Sequence, residues 1–361
     1  MKHTSTSNRT IRLATLYKAG LVLLLLVCVA AIGVYIQHVS HAATSWLSLE
    51  PENGTPRGVT VVSDSSSSGG RAVKFGLSSV AMTKQILGVS ATRDPISSSV
   101  GYSMQIAKLN AKAMYYYGTI NPRWQAVSFV PDDHDIVYQT KDTTYADYGA
   151  MLASFPASRV GKVYLHYHNE PEDQLIRGDF TMAQYQARTN ALYDAMDAAI
   201  VARPSMATYL VKGIEIQFYG LQQFNKGNVG VNNSFNVPMY IQPRTQWIGW
   251  SFYADKKASV GPDGKIHEYA VISPTIAPGI LGTFMRTRPN ITFSVITGWA
   301  VDTAYLQDPI TIQNRVDWLV ISYSNLSAIG SKHYLWFDKP WTNGDYSIEN
   351  DPALLAAWQT L

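Results

Sequence analysis

Residues 162–211 contain the alternation that decides the fold: KVYLHYHNE at 162–170, TMAQYQARTNALYDAMDAAIV at 181–201 and ATYLV at 207–211. The first and last pieces are short runs rich in Val, Tyr and Leu, which is typical of strands buried in a sheet. The middle piece can be capped by Asp179 or Thr181 and meets Pro204 after its end, so it predicts a helix. A strand, a helix and a strand in this order predict a parallel βαβ unit.

The same alternation continues on both sides of this unit. Strands are predicted at 86–91, 113–117, 126–130, 162–168, 207–211, 247–253, 291–296 and 333–337, and helices at 100–109, 145–155, 181–201, 311–329 and 352–361. Eight strands interleaved with helices predict an α/β protein with a (β/α)8 TIM barrel, which typically takes about 250 residues. A doubly wound open sheet is the alternative, but no Gly-rich phosphate loop follows the first strand, which disfavours its nucleotide-binding form.

The N-terminus carries a targeting segment. Residues 1–18 are basic, and residues 19–37 form an uncharged apolar run that predicts a helix acting as a signal peptide or a membrane anchor. Small residues at 40 and 42 offer a cleavage site after Ala42, so cleavage and retention both stay open. Either outcome places the rest of the chain outside the cell, secreted or anchored to the outer face of the plasma membrane. The one cysteine, Cys28, lies inside the apolar run, so no disulfide is expected beyond it.

Charge excludes one class of partner. The chain of 361 residues has a formal net charge of +3, but its first 42 residues hold four basic residues and no acid. The remainder has 25 basic and 26 acidic residues. No basic surface is therefore expected for nucleic acid.

Residues 43–82 form a β-rich segment or linker before the barrel, which is assigned to 83–361. Short strand-like runs at 59–62 and 72–75 flank the turn signal Ser68-Gly69-Gly70. This order resembles the opening of the β-sandwich carbohydrate-binding modules of families 6 and 35. The resemblance covers about 30 residues, whereas such a sandwich needs roughly 100, so a remnant or a β-rich cap is expected.

The candidate catalytic and binding residues lie where the fourth predicted strand ends, at His168-Asn169-Glu170-Pro171. Functional side chains of a barrel sit at the C-terminal ends of its strands. A carboxyl group held there among Tyr and His can stay protonated at neutral pH, as a general acid must. Asn169 and His168 beside it are candidates for binding a sugar hydroxyl.

This Asn-Glu-Pro sequence resembles the fourth-strand signature of the clan A glycoside hydrolases, which are retaining (β/α)8 enzymes. The preceding His is similar to the mannanase-type family 26 members of that clan. The resemblance implies that Glu170 is the acid/base and that Asn169 contacts the sugar.

The second carboxylate of such an enzyme is missing from its expected place. Retaining enzymes need two carboxyls about 5–5.5 Å apart, and the clan places a nucleophilic Glu at the end of strand seven, where this chain has Gly298. Asp302, Asp338 and Glu215 could each supply a carboxylate instead. Asp302 or Asp338 would then act as the base of an inverting mechanism, while Gly298→Glu is expected to restore hydrolysis if the vacant position is the only defect.

Three aromatic residues are predicted on the walls of the same cleft. Tyr253 ends strand six, Trp299 follows the vacant position and Trp336 lies in strand eight. The resemblance implies that such rings stack on a pyranose. Packing in the core is the alternative for each Trp.

A metal site is an alternative, because His166, His168 and Glu170 alternate along the chain and would share one face of a strand. Zinc needs further His or Asp ligands, and none of the remaining histidines beyond residue 42 ends strand five or six. No metal and no cofactor are therefore expected.

The sequence thus predicts an exported glycoside hydrolase-like protein whose partner is a polysaccharide or oligosaccharide, with contact to the membrane if the N-terminal helix is retained. The alternative is a catalytically inactive carbohydrate-binding or scaffold protein at the cell surface.

Overall fold

The computed structural model describes residues 60–63, 71–74, 85–90, 109–116, 124–140, 145–254, 256–337, 340–341, 344–348 and 350–361. The chain divides into two compact units, Met1–Ala81 and Met82–Leu361. In the first unit, strands β1 (Thr60–Ser63) and β2 (Arg71–Lys74) pair antiparallel. The predicted apolar N-terminal helix and residues 100–108 lie outside the described residues. Within the described part of the chain, no helix combines the length and apolarity needed to cross a bilayer.

The second unit contains a closed barrel of eight parallel strands. The strands are β3 (Ile86–Ser90), β4 (Ala113–Tyr116), β5 (Asp135–Thr140), β6 (Val163–Tyr167), β7 (Leu210–Gln217), β8 (Trp247–Ala254), β11 (Thr292–Trp299) and β12 (His333–Trp336). They pair in chain order, and β12 closes the barrel on β3. The predicted (β/α)8 barrel is therefore confirmed, and the open sheet is excluded.

Helices connect most of these strands. They are α1 (Tyr145–Ala153), α2 (Pro171–Arg177), α3 (Met182–Ala202), α4 (Phe218–Asn225), α5 (Val237–Tyr240), α6 (Ile276–Arg286), α7 (Pro309–Ala328) and α8 (Pro352–Thr360). The hairpin of β9 (Lys256–Val260) and β10 (Ile266–Ala270) follows the sixth barrel strand, and β13 (Pro340–Trp341) pairs with β14 (Gly344–Asp345) after the eighth. At α3, the Thr181 hydroxyl and the Gln184 side chain cap each other's backbone N–H groups, which fixes where that helix begins.

Alternation along each strand sorts side chains between two cores. In β8, Trp247 points into the barrel, whereas Ile248 and Trp250 belong to the larger core between strands and helices. In β12, Leu335 points inward and Trp336 outward. Successive side chains of a strand face opposite sides, so this parity decides which residues can reach a site inside the barrel.

Two predicted strands are wrong in position. Residues 127–130 form a turn, closed by the Val130 N–H donating to the Val127 carbonyl at 3.0 Å, and the third strand is β5. Its sequence DIVYQT places polar Asp135 and Gln139 among apolar residues, which hid it from an apolar pattern. The fifth strand starts at Leu210 and runs to Gln217, well beyond the predicted end at 211.

Candidate functional site

Glu170 stands at the point where β6 turns into α2. The backbone at Glu170 is left-handed, with φ 47° and ψ 55°, and Pro171 begins the helix immediately after it. The Glu170 side chain makes no capping bond to α2. The carboxyl thus lies at the C-terminal mouth of the barrel and is not used to cap the helix that follows it.

An open cavity of about 760 Å³ lies at this mouth. Its polar wall includes Glu170, Gln217, Gln222, Ser251, Tyr253 and Tyr346. Among the described residues that line it, Glu170 is the only one with a carboxyl group, and none is Lys, Arg or His. Amide and hydroxyl groups around one carboxyl suit a neutral ligand with many hydroxyls.

A second carboxyl, Glu215, lies beneath the cavity floor in β7 and is fully buried. Ser251 donates a hydrogen bond to one of its oxygens at 2.7 Å, and the Tyr115 hydroxyl donates to the other. The Nε2 atom of His166 lies 3.4 Å from that second oxygen. The Ser251 side chain also lowers the pKa of the Glu170 carboxyl, so it acts on both carboxyls.

Burial controls the protonation of this group. It raises the pKa of Glu215 to about 8, with a further contribution from the charge of Glu170. It also raises the pKa of Glu170, with Asp173 adding to the rise and the bonds from Ser251 and Gln217 opposing it. Burial lowers the pKa of His166 to about 3, so this imidazole is neutral. Among the described residues, no Lys or Arg forms an ion pair with Glu215, and its raised pKa favours a bound proton at neutral pH.

The two polar neighbours of Glu170 face elsewhere. Asn169 accepts a hydrogen bond from Gln139 at 2.5 Å. The ring of His168 is buried, with Nδ1 2.7 Å from the Asn169 carbonyl and its centroid 5.6 Å from that of Phe180. Neither belongs to the described lining of the cavity. Their substrate-binding role stays a prediction, and the contacts give them a part in holding the turn before Glu170.

Trp299 and Trp336 do not form the cleft walls that the sequence predicted. They are 1% and 0% exposed, and their rings pack on Trp318 of α7 at 6.4 and 6.2 Å between centroids. Both occupy outward positions of their strands, so they fill the core between barrel and helices. Tyr253, with inward parity on β8, does line the cavity.

The predicted second carboxylates are dispersed. Asp302 caps a short helical turn by accepting from the Ala304 N–H at 3.1 Å, and one of its oxygens lies 3.8 Å from Lys256. It does not belong to the described lining of the cavity. Asp338 lies outside the described residues, so its role as a base stays a prediction.

Gly298 points into the barrel, and Tyr346 occupies the space in front of it. A Cβ atom at position 298 would lie 2.7 Å from Cδ1 of Tyr346. Such a contact is too close for any side chain to be added without movement of the ring. The Tyr346 ring would therefore have to move before a glutamate at position 298 could enter the cavity, and the recovery of hydrolysis by Gly298→Glu stays a prediction.

Glu215 has a larger part in the site than the sequence predicted, and the sequence did not predict Ser251 or Tyr346 as members of the site. A signal for Glu215 existed, because a lone acid within the apolar run Gly213-Ile214-Glu215-Ile216 is unusual in a strand buried on both faces. Ser251 shares inward parity with Trp247 and Tyr253. Tyr346 follows the last strand in a segment without periodicity, and its place depends on tertiary contacts.

His166 in β6 and His168 just after that strand do not converge on a common point. His166 faces Tyr115 and Glu215 inside the barrel, whereas His168 faces Phe180. The described residues contain no group of three or more His, Cys, Asp or Glu side chains arranged to hold a metal ion.

Comparisons with known proteins return likenesses of structure alone. No protein-family model matches the chain, and no curated protein matches it. A monomeric β-xylosidase from Caulobacter crescentus is 10% identical with a TM-score of 0.45, over 77% of this chain and 68% of that one. A family 1 β-glucosidase from Thermotoga maritima is 13% identical with a TM-score of 0.47, over 77% and 97%. A β-glucuronidase from Bacteroides uniformis is 10% identical with a TM-score of 0.49, over 83% and 37%. The strand pairing of this chain establishes its barrel independently of these likenesses.

Proposed function

We propose that this barrel is a glycoside hydrolase-like domain that binds a polysaccharide or oligosaccharide in the cavity at its C-terminal mouth, with Glu170 as the general acid. One observation carries the proposal: an acid with a raised pKa lies in a cavity whose other polar lining groups are hydroxyls and amides. We also propose that the chain is exported, on the strength of its apolar N-terminal run.

The chemistry assigned to Glu170 is proton donation to the glycosidic oxygen as the bond to the anomeric carbon breaks. Glu215 lies on the neighbouring strand β7 and accepts a hydrogen bond from Ser251, which itself lines the cavity beside Glu170. Glu215 itself is buried under Ser251 and Tyr115, so it is assigned no role as a nucleophile.

A binding function without turnover is the second candidate, and Tyr346 favours it. Its ring occupies the place where a retaining enzyme of the resembled clan carries its nucleophile. Loss of a covalent nucleophile lowers turnover by orders of magnitude. We therefore expect carbohydrate binding to be better preserved than cleavage.

The test uses the full-length protein purified in detergent and presented with β-mannan, β-glucan and peptidoglycan, with binding and release of reducing ends scored separately. Wild-type protein should bind one of these polymers. Glu170→Gln should keep the affinity within about threefold while lowering any cleavage by roughly 10²–10⁴-fold.

Asp302→Asn is the matched control, because it removes a carboxylate outside the described cavity lining. It should change neither binding nor cleavage. Cleavage that survives Glu170→Gln would show that another group donates the proton, and failure of all three polymers to bind would refute the carbohydrate proposal for these classes.

A further inference from the structure

The cavity has an apolar part as well as a polar wall. Val271 and Ile272, which follow β10, and Ile276 and Ala277, which begin α6, belong to its lining. Tyr219, at the start of α4, adds a ring. The polar groups Glu170, Gln217 and Ser251 come instead from the ends of β6, β7 and β8. Ser273 and Gln222 add polar groups beside them, so the apolar side chains form a cluster within a mixed lining.

Three of these apolar side chains are exposed to solvent. Val271 is 59% exposed, Ile276 is 68% exposed and Tyr219 is 52% exposed. Single exposed apolar residues are ordinary on protein surfaces, whereas several that share one concave surface mark a place where a ligand or partner is bound. Burying these side chains would be favourable by the hydrophobic effect.

Branched aliphatic side chains do not match the hydroxyls of a sugar. Val271 and Ile276 offer neither a hydrogen bond nor a flat ring face, so a sugar hydroxyl pressed against them would lose water without a replacement partner. A hydrocarbon group makes the complementary contact. The cavity volume of about 760 Å³ lies in the range that accommodates a drug-sized molecule, so there is space for both parts.

We propose that the ligand of this cavity is an amphipathic glycoside, with its sugar at Glu170, Gln217 and Ser251 and an aryl or alkyl aglycone against Val271, Ile276 and Tyr219. This rests on the proposed function, because it names the class of glycoside that the same site takes. The apolar cluster selects the aglycone, and the ends of the barrel strands select the sugar.

The experiment compares methyl and 2-naphthyl glycosides of glucose, mannose and xylose by calorimetric titration of the full-length protein held in lipid nanodiscs, with empty nanodiscs as the blank. For the sugar that binds best, the naphthyl glycoside should bind at least tenfold more tightly than the methyl glycoside. Val271→Ser with Ile276→Ser should remove about tenfold of the naphthyl affinity and leave the methyl affinity within twofold.

Val260→Ser with Ile266→Ser is the matched control. These residues are 68% and 54% exposed on the β9–β10 hairpin and do not belong to the described lining of the cavity. The control should leave both affinities unchanged, and both double variants should keep the melting temperature because all four side chains are exposed.

A naphthyl glycoside that binds no more tightly than its methyl counterpart would overturn the amphipathic ligand while leaving carbohydrate binding intact. Equal binding of free 2-naphthol and the naphthyl glycoside would overturn it as well, because the sugar would then contribute nothing. Binding of no glycoside of either kind would overturn this inference and the proposed function together.

Discussion

The two ends of the barrel interior hold carboxyl groups in opposite states. At the C-terminal mouth, Glu215 is surrounded by hydroxyls, a neutral imidazole and another carboxyl, and its pKa is raised to about 8. At the N-terminal end, Asp135 lies 2.8 Å from Nε2 of His333 and 3.3 Å from Nζ of Lys332. Burial alone would raise the pKa of Asp135, but its bond to His333 and the nearby positive charges lower it to about 2.

The difference teaches that the partners of a buried carboxyl decide its role. Asp135, His333 and Ser294 are connected in the order used by serine nucleophiles, with Nδ1 of His333 2.6 Å from the Ser294 hydroxyl. Trp247 donates to that hydroxyl at 2.8 Å, and Ser294 is fully buried. No substrate reaches it, so this cluster is a structural ion-pair network. The carboxyls at the mouth, whose pKa values are raised, are the ones that the proposed function uses.

Replacing one carboxyl by an amide at each end of the barrel should give the largest difference in the free energy of unfolding. Asp135→Asn removes the charge that Lys332 faces and weakens the bond to His333, and a buried polar group left without its partner typically destabilises a fold by about 1–3 kcal/mol, and by more where the group is charged. Glu215→Gln resembles the protonated acid already present and should cost under about 1 kcal/mol at pH 5. Urea denaturation at pH 5 measures both. Equal losses would show that the two carboxyls do not differ in protonation.

A side chain at position 298 tests how closely the mouth is packed. Gly298→Glu should lower the free energy of unfolding by about 1–3 kcal/mol, because its Cβ would meet the Tyr346 ring. Adding Tyr346→Ala should recover part of that loss.

Gly279→Glu is the control for this pair, since a Cβ at Gly279 meets nothing within 4 Å. Thermal denaturation of the four proteins provides the comparison. If the single variant at 298 were as stable as the control, Tyr346 would not occupy the vacant position.

The pH dependence of stability should have opposite signs at the two ends. The folded pKa of Glu215, about 8, lies above its ordinary value of 4.5, so its contribution is fully present below pH 4.5 and is lost as the pH rises to 8. The folded pKa of Asp135, about 2, lies below 3.8, so its contribution is present above pH 3.8 and is lost as the pH falls towards 2. The limiting slope per group is about 1.4 kcal/mol per pH unit.

Denaturation curves from pH 5 to 8 measure this slope for wild-type protein and for Glu215→Gln. The variant should have a flatter profile because it has no proton to lose there. An unchanged profile would mean that Glu215 is already ionised in the folded protein.

The smallest effect on carbohydrate affinity is expected for a substitution outside the barrel interior. Trp336→Phe alters a ring packed between the barrel and α7, so the affinity for carbohydrate should stay within about twofold even though the melting temperature falls. Calorimetric binding before and after the substitution, alongside Tyr253→Ala on the cavity wall, separates the two positions. A larger loss of affinity for Trp336→Phe than for Tyr253→Ala would show that Trp336 contributes to the binding site.

Sequence patterns predicted the barrel well because its strands are apolar on both faces. Seven of the eight predicted strands overlap the observed ones. The third was missed because Asp135 and Gln139 point towards polar partners inside the barrel, which breaks the apolar run. Of the site, sequence placed Glu170 and Tyr253 at strand ends, where the structure has them lining the cavity.

The rest of the site depended on parity and on distant parts of the chain. Gly298 faces the barrel interior and its neighbour Trp299 faces the helices. Both lie near the end of the same strand, so their closeness to the strand end does not show which one reaches the site. Tyr346 reaches the cavity from beyond the eighth strand. Ser251 could be recognised as part of the site only through its hydrogen bond to Glu215 on the neighbouring strand. Such contacts between elements leave no periodic trace in the sequence.

The left-handed backbone at His168 and Glu170 has a consequence for any attempt to evolve this protein. Both residues have positive φ, 58° and 47°, a conformation that disfavours side chains by about 1–2 kcal/mol per residue relative to glycine. A library selected for heat resistance alone would enrich glycine at position 170 and thereby discard the acid. Stability and the proposed acid role thus compete at one position, and only a selection that also demands ligand binding or turnover would retain Glu170.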